Sequence, residues 1–392
     1  MLLSICALAV VAVSTVAALR LLPAGTRGPF TVGTTALKFT PVQLAHWLDG
    51  DPERPVPEVT LWYPVAVATR AGRLQDILRL RLSGHRLLAA ALADAHPVPG
   101  ATRLPVILYF PGWPGTQPGN QTAVYDLASH GFVVGTVIYG TRLPGLPDAA
   151  YQRQQQALQR PMDFSTGASA AATLQLADAR TRTRAADATV ILDALAGLDA
   201  DDGSGRFLNR LDLGKVGVFG YSFGGAIAAQ AGLMDSRVKA VANLDGWQFA
   251  EAATNGVPKP YLLVSDTTPL PTAAELASND AGTRALAMLN DQDYRRARHN
   301  LQLHGGYFLT ISGTSHGSFA DAPLYAGFQW PWHKSGSTSR LRAMNIVNTY
   351  LLGFFECTLL GRNTGLLDAG HGGYPEAHLE AWSAAHPTPQ GL

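Results

Sequence analysis

Ser222 lies in the pentapeptide Gly220-Tyr221-Ser222-Phe223-Gly224. A serine hydroxyl is a weak nucleophile near neutral pH. It attacks a carbonyl carbon only when an imidazole takes its proton and a carboxylate orients that imidazole. The two flanking glycines have a steric reason. On a sharp strand-to-helix turn, the residues two positions either side of the serine approach each other and adjacent elements. Only residues with little or no side chain fit there. The residues before the serine (KVGVFG) read as a strand and those after it (GGAIAAQAGL) as a helix, which is the context the pattern requires. With 40 glycines in the chain, such a pentapeptide can also arise as a glycine-rich turn with an idle serine. The flanking strand and helix argue against that reading.

The base must lie late in the chain, on a loop leaving a strand at the carboxyl edge of the sheet. His316 fits, because a strand over 307–311 runs into the small-residue loop Ser312-Gly313-Thr314-Ser315-His316-Gly317. His304 precedes that strand, at the wrong edge. His130 ends a helix before the nucleophile and reads as structural. His333 falls in a segment rich in Pro and Trp, and His371, His378 and His386 belong to the tail. Two carboxylates compete for the third role. Asp245 ends the strand after the nucleophile helix and Asp266 ends the next one. Both stand at the correct edge, and spacing alone does not separate them. Either could instead cap a helix or turn.

These residues need a sheet whose strand ends converge. Residues 104–110 (LPVILYF) form a continuous apolar run, as expected of a strand buried on both faces. Further strands are predicted over 58–65, 132–139, 216–220, 238–244, 260–265 and 307–311. Helices are predicted over 72–96, 121–130, 173–198, 223–232 and 339–355. Residues 141–167 and 320–336 read as irregular insertions, long enough to act as lids. Strand alternating with helix predicts an α/β-hydrolase fold: one doubly wound, mostly parallel sheet with helices on both faces and lid or insertion segments. The domain is expected to span 28–360, followed by a loosely packed tail over 361–392.

The chain has 392 residues, 47% of them hydrophobic, enough for a large core. Thirty basic and 29 acidic side chains give a formal charge of +1 without a basic run, so no nucleic-acid partner is expected. Of the two cysteines, Cys6 lies in the apolar N-terminus, so a mature domain keeps Cys357 and no intrachain disulfide. No Cys/His spacing suggests zinc. Residues 1–22 are apolar except for Ser4, Ser14, Thr15 and Arg20. They read as a signal peptide or a membrane anchor, and thus as export, with membrane-surface association among the expected contacts. The absence of Lys or Arg before the apolar run weakens the signal-peptide reading, and Arg20 and Arg27 after it favour a cytoplasmic C-terminal side for an anchor.

The sequence resembles the platelet-activating factor acetylhydrolase family over about residues 28–357. The resemblance lies in Asp126 to Phe132 (DLASHGF), Gly220 to Gly225 (GYSFGG), Leu244-Asp245-Gly246-Trp247, and His316 followed by Phe319-Ala320-Asp321. Residues 28–33 and Leu61-Trp62-Tyr63-Pro64 are similar to its N-terminal strands. The resemblance implies Asp245 as the acid, in the LDxW segment. It implies an oxyanion hole from the backbone N–H groups of Trp113 and Phe223. It also implies hydrolysis of short acyl esters, or of the sn-2 acyl group of modified phospholipids, without a cofactor. Pro111-Gly112 replaces the family's His-Gly pair, Tyr139-Gly140 stand where a charged segment is usual, and Trp330-Pro331-Trp332 has no counterpart. These departures line the substrate side. A general carboxylesterase or polyester-cleaving hydrolase is the alternative within enzymes. An inactive hydrolase scaffold used for binding, or a membrane-bound structural protein, is the alternative outside them.

Overall fold

The computed structural model describes residues 28–48, 54–66, 91–100, 102–142, 147–267, 270–321, 337–368 and 373–384. The apolar segment 1–22, residues 72–90 of the helix predicted over 72–96, most of the 320–336 insertion with Trp330, Trp332 and His333, and His371 and His386 lie outside the described residues.

In chain order the elements are β1 (Thr31–Ala36), α1 (Pro41–Leu48), β2 (Pro57–Val65), β3 (Leu92–Ala93), β4 (Leu104–Phe110), α2 (Gln121–Ser129) and β5 (Val133–Tyr139). Next come α3 (Asp148–Gln159), α4 (Gly167–Ala200), β6 (Leu211–Tyr221), α5 (Phe223–Met234), β7 (Val238–Leu244), α6 (Ala250–Asn255) and β8 (Tyr261–Ser265). The chain continues through α7 (Ala273–Leu276), α8 (Ala281–His304), β9 (Gly306–Ile311), a 3-10 turn (His316–Phe319), α9 (Arg340–Leu360) and β10 (Ala377–Trp382).

The strands form one sheet in the order β10-β9-β8-β7-β6-β4-β5-β2-β1-β3. From β9 to β5 every pairing is parallel, and β2 and β10 run antiparallel to their neighbours. The chain enters at β4, moves to β5 on one side, and returns to β6 on the other. That reversal opens a crevice beyond the carboxyl ends of β4 and β6, where open α/β sheets bind ligands.

Successive side chains of a strand point to opposite faces, so each buried strand feeds two cores. Val106, Leu108 and Phe110 of β4 join the core beneath α4 and α5, while Ile107 and Tyr109 join the core beneath α2 and α9. α4 starts at Thr166, whose side chain accepts the Ser169 N–H, and α9 stops at Gly361 in the left-handed region at φ 67°. By length and composition α9 could cross a membrane, yet it packs as a core helix with Ile346, Leu351, Phe354 and Phe355 buried.

The α/β-hydrolase expectation holds, and four local expectations are corrected. Within residues 141–167, predicted irregular, α3 forms. It consists of helix formers such as Ala, Gln, Arg and Leu, but is polar on the whole and fully buries only Gln154 and Leu158, so its inner face is thinly marked. Leu92 and Ala93, in the predicted helix, pair with Gly33 and Thr34 of β1, an edge pairing no local pattern reveals. The polar helix α8 occupies a stretch that carries no predicted element. Residues 377–382 of the expected loose tail form the antiparallel edge strand β10 against β9.

Candidate active site

Ser222 stands between β6 and α5 at φ 55° and ψ −126°, a left-handed conformation that a non-glycine residue adopts only under constraint. Its N–H donates to the Leu244 carbonyl at 2.8 Å, and its own carbonyl accepts from the Gly225 N–H at 2.8 Å. A Cβ on Gly220 would collide with the Gly224 carbonyl, and one on Gly224 with the Phe110 carbonyl. The steric reason for the glycine spacing is therefore literal.

Asp245 follows β7, also at positive φ (56°), and its N–H donates to the Val264 carbonyl at 2.8 Å. The loop is braced by the buried Asn243. Its amide donates to the Gly246 carbonyl and accepts from the Gly246 N–H, both at 2.9 Å. His316 opens the 3-10 turn after β9. Ser315 and Ser318 cap that turn reciprocally, and the Asp321 N–H donates to the Gly119 carbonyl at 2.8 Å. The Asp321 carboxylate accepts the Thr122 N–H at 2.7 Å, tying the histidine loop to the start of α2.

These three loops meet. His316 Nε2 lies 3.0 Å from Ser222 Oγ, and His316 Nδ1 lies 2.6 Å from Asp245 Oδ2. The other carboxylate oxygen of Asp245 accepts from Ser265 Oγ at 2.9 Å and from the Asp266 N–H at 3.2 Å. Of the two carboxylates left open by spacing, Asp245 pairs with the imidazole, and Asp266 steadies Asp245 through its backbone. Burial disfavours the charged imidazole. The hydrogen bond to Asp245 and the negative charges of Asp245 and Asp266 outweigh it and raise the His316 pKa above its ordinary value. His130 instead binds the Asp126 carbonyl at 2.8 Å, His304 binds the Asn255 carbonyl at 2.8 Å, and His378 lies on β10.

Phe223 is the first residue of α5, so its N–H has no carbonyl partner within the helix. A Cβ on Gly112 would lie 3.1 Å from the Ser222 Cβ, so the Gly112–Trp113 backbone borders the serine. A cavity of about 350 Å3 opens over Ser222, walled by Trp113, Met162, Trp247, Phe249, Tyr294 and Phe308. Trp113 meets the Phe223 ring edge-on at 4.9 Å, and the Trp247 indole donates to Asn290 at 2.9 Å. Both tryptophans face the cavity while packing against the core. Among the described residues no group of three His, Cys, Asp or Glu side chains converges as a metal site.

Tyr221, Asn243 and Asp293 belong to this site and are not singled out by sequence. Tyr221 carried a usable signal, since it precedes the serine; Asn243 and Asp293 are ordinary strand and helix residues until the chain folds. Asp293 lies at the cavity wall and accepts the Gln248 N–H at 2.6 Å. Burial pushes its carboxyl up to about 7.

A strained serine at the carboxyl edge of a doubly wound sheet, with an imidazole and a carboxylate in line behind it, defines the α/β-hydrolase class. The chain belongs to the family described as platelet-activating factor acetylhydrolase, isoform II, whose model matches residues 73–361. It is 24% identical over 180 residues to a probable 1-alkyl-2-acetylglycerophosphocholine esterase of Arthroderma benhamiae. That match spans 41% of this chain and 42% of the relative. Among solved structures it is similar to a ferulic acid esterase from Streptomyces cinnamoneus, with a TM-score of 0.58 and 26% identity, covering 91% of this chain and 97% of that one.

Proposed function

We propose that this protein is a serine ester hydrolase, working through an acyl-enzyme on Ser222 with His316 as base and Asp245 as its orienting acid. The observation that carries the reading is the pair of hydrogen bonds in series, Ser222 to His316 at 3.0 Å and His316 to Asp245 at 2.6 Å. His316 takes the Ser222 proton as Oγ attacks the ester carbonyl. The Trp113 and Phe223 N–H groups hold the oxyanion; losing one such donor typically costs about 3 kcal/mol. Asp245 holds the imidazole tautomer and stabilises the imidazolium. His316 then protonates the leaving alcohol and activates the water that releases the acid.

The substrate reading is a short acyl ester, such as the sn-2 acyl group of a modified phospholipid. Family membership, the name of the fungal relative and the two tryptophans walling a cavity at the small end of the usual range support it. A general carboxylesterase is the second reading, favoured by the aromatic wall and the ferulic acid esterase likeness. The apolar residues 1–22 support export, cleaved or anchored, and N-terminal sequencing of the mature protein tests it.

Ser222→Ala should lose both fluorophosphonate labelling and p-nitrophenyl acetate turnover. Labelling that persists in this variant overturns the assignment. A panel of esters of rising acyl length separates the substrate readings, since undiminished turnover of long chains counts against the short-acyl one.

A further inference from the structure

Behind Trp113 lies a second cavity of about 760 Å3, between α3 and α4, which the mechanism above does not use. Arg54, Arg153, Arg160, Arg180 and Arg184 line it, and among its described lining residues the one carboxylate is Asp187. That carboxylate is already engaged. It pairs with Arg54 at 2.5 Å and accepts from the Trp47 indole at 2.7 Å and the Tyr139 hydroxyl at 2.8 Å.

Two of the other cations, Arg180 and Arg184, keep unspent hydrogen-bonding capacity. Arg184 is 4% exposed; its Nη2 donates to the Pro114 carbonyl at 2.8 Å, and its Nη1 has no partner among the described residues. Arg180 donates through Nη2 to the Ala157 carbonyl, and its buried Nη1 likewise has no partner there. Burial, with repulsion from Arg184 and Arg160, holds the Arg180 pKa down to about 10, still charged at neutral pH. Uncompensated guanidiniums in a concave site are costly unless an anion joins them. Their planar donors match the paired oxygens of phosphate or carboxylate.

Trp113 joins this cleft to the nucleophile. It walls the Ser222 cavity, its indole N–H donates to the Arg160 carbonyl at 3.1 Å, and the Arg180 guanidinium lies over its ring at 4.1 Å. The Arg184 guanidinium also lies 5.7 Å from the Phe223 ring, next to Ser222. We propose that the arginine-lined cleft takes an oxyanion carried by the ester substrate, a phosphodiester or a carboxylate, while its acyl carbonyl sits at Ser222. This rests on the reading of Ser222 as an ester nucleophile and narrows its substrates to anionic esters.

The test compares a soluble acetyl ester bearing a phosphodiester, one bearing a carboxylate, and neutral p-nitrophenyl acetate. In wild type, kcat/KM should favour the anionic esters. In Arg180→Gln and in Arg153→Gln, the ratio of anionic to neutral kcat/KM should fall about tenfold or more. Inorganic phosphate should raise KM for the anionic esters more than for the neutral one. A ratio that stays put in both variants overturns the proposal. Equal inhibition of all esters by phosphate also overturns it, by giving the cleft to a free anion. If wild type hydrolyses no ester at all, the Ser222 reading fails instead. Phosphate binding measured calorimetrically then decides the cleft: weakening by Arg180→Gln keeps an oxyanion site, and equal binding in both proteins removes it.

Discussion

The phenol ring of Tyr221 stacks on the imidazole of His316, with centroids 5.0 Å apart and planes 26° from parallel, and its hydroxyl donates to the His316 carbonyl at 3.1 Å. The residue beside Ser222 therefore grips His316 by both ring and backbone. Because Tyr221 ends β6 and Ser222 follows it directly, any shift of the serine turn against the histidine loop is resisted where the two side chains meet.

Tyr221 is thus expected to act as a positioning residue. Tyr221→Phe keeps the stack and loses the hydrogen bond, so kcat should fall severalfold with KM little changed. Tyr221→Ala loses both and should fall further. Steady-state kinetics on p-nitrophenyl acetate reads the split; a change confined to KM would point to substrate contact instead.

Asp245→Asn should lower kcat by about 10³- to 10⁴-fold, by analogy with loss of the orienting acid in other hydrolase triads. Asp266→Asn, whose backbone N–H still reaches Asp245, should cost tenfold at most. Comparable losses in the two would reverse the assignment of the acid.

In the proposed role of base His316 works only when neutral, and its pKa is raised by Asp245 and Asp266. Activity should therefore fall as pH drops through a value above 6.5, the ordinary value for histidine. Asp266→Asn removes one negative charge and should move this acid limb of kcat/KM to lower pH. An unmoved or upward-shifted limb contradicts the electrostatic account.

Asp293 is protonated more readily in the fold than in the unfolded chain, because burial raises it from 3.8 to about 7. Ionising it costs stability, so that stability is lost as pH rises between these two values. Asp293→Asn keeps an acceptor for the Gln248 N–H. It should match wild type near pH 4 and exceed it near pH 8, by up to about 4 kcal/mol, at about 1.4 kcal/mol for each unit between 3.8 and 7. Denaturant midpoints at the two pH values provide the check.

Truncation after residue 376 removes β10, its ladder with β9 and the bidentate Arg298–Glu380 pair at 2.8 and 2.7 Å. It leaves β9 as a bare edge next to the histidine loop. Thermal stability should drop, and the truncated protein should aggregate on heating more readily than the full chain. Equal melting temperatures would show that β10 contributes nothing to the sheet.

The central strands and the serine turn are legible in sequence because their causes are local. The all-apolar run of β4 admits only a position between two layers of helices, and the glycines around Ser222 answer contacts made within a few residues. His316 is identifiable for a similar reason: a small-residue loop leaves a strand at the right edge. What local pattern leaves open is the choice between Asp245 and Asp266, since two adjacent parallel strands end in a carboxylate at the same edge. The proposal of Asp245 rests on the packed sheet, which sets its Oδ2 at 2.6 Å from the imidazole and turns the Asp266 N–H toward Asp245. The polar helices α3 and α8, the edge strand β10 and the arginine cleft are likewise decided by tertiary structure. Their residues are polar on the whole, so little in them announces a buried face, and they acquire position from partners far away in the chain.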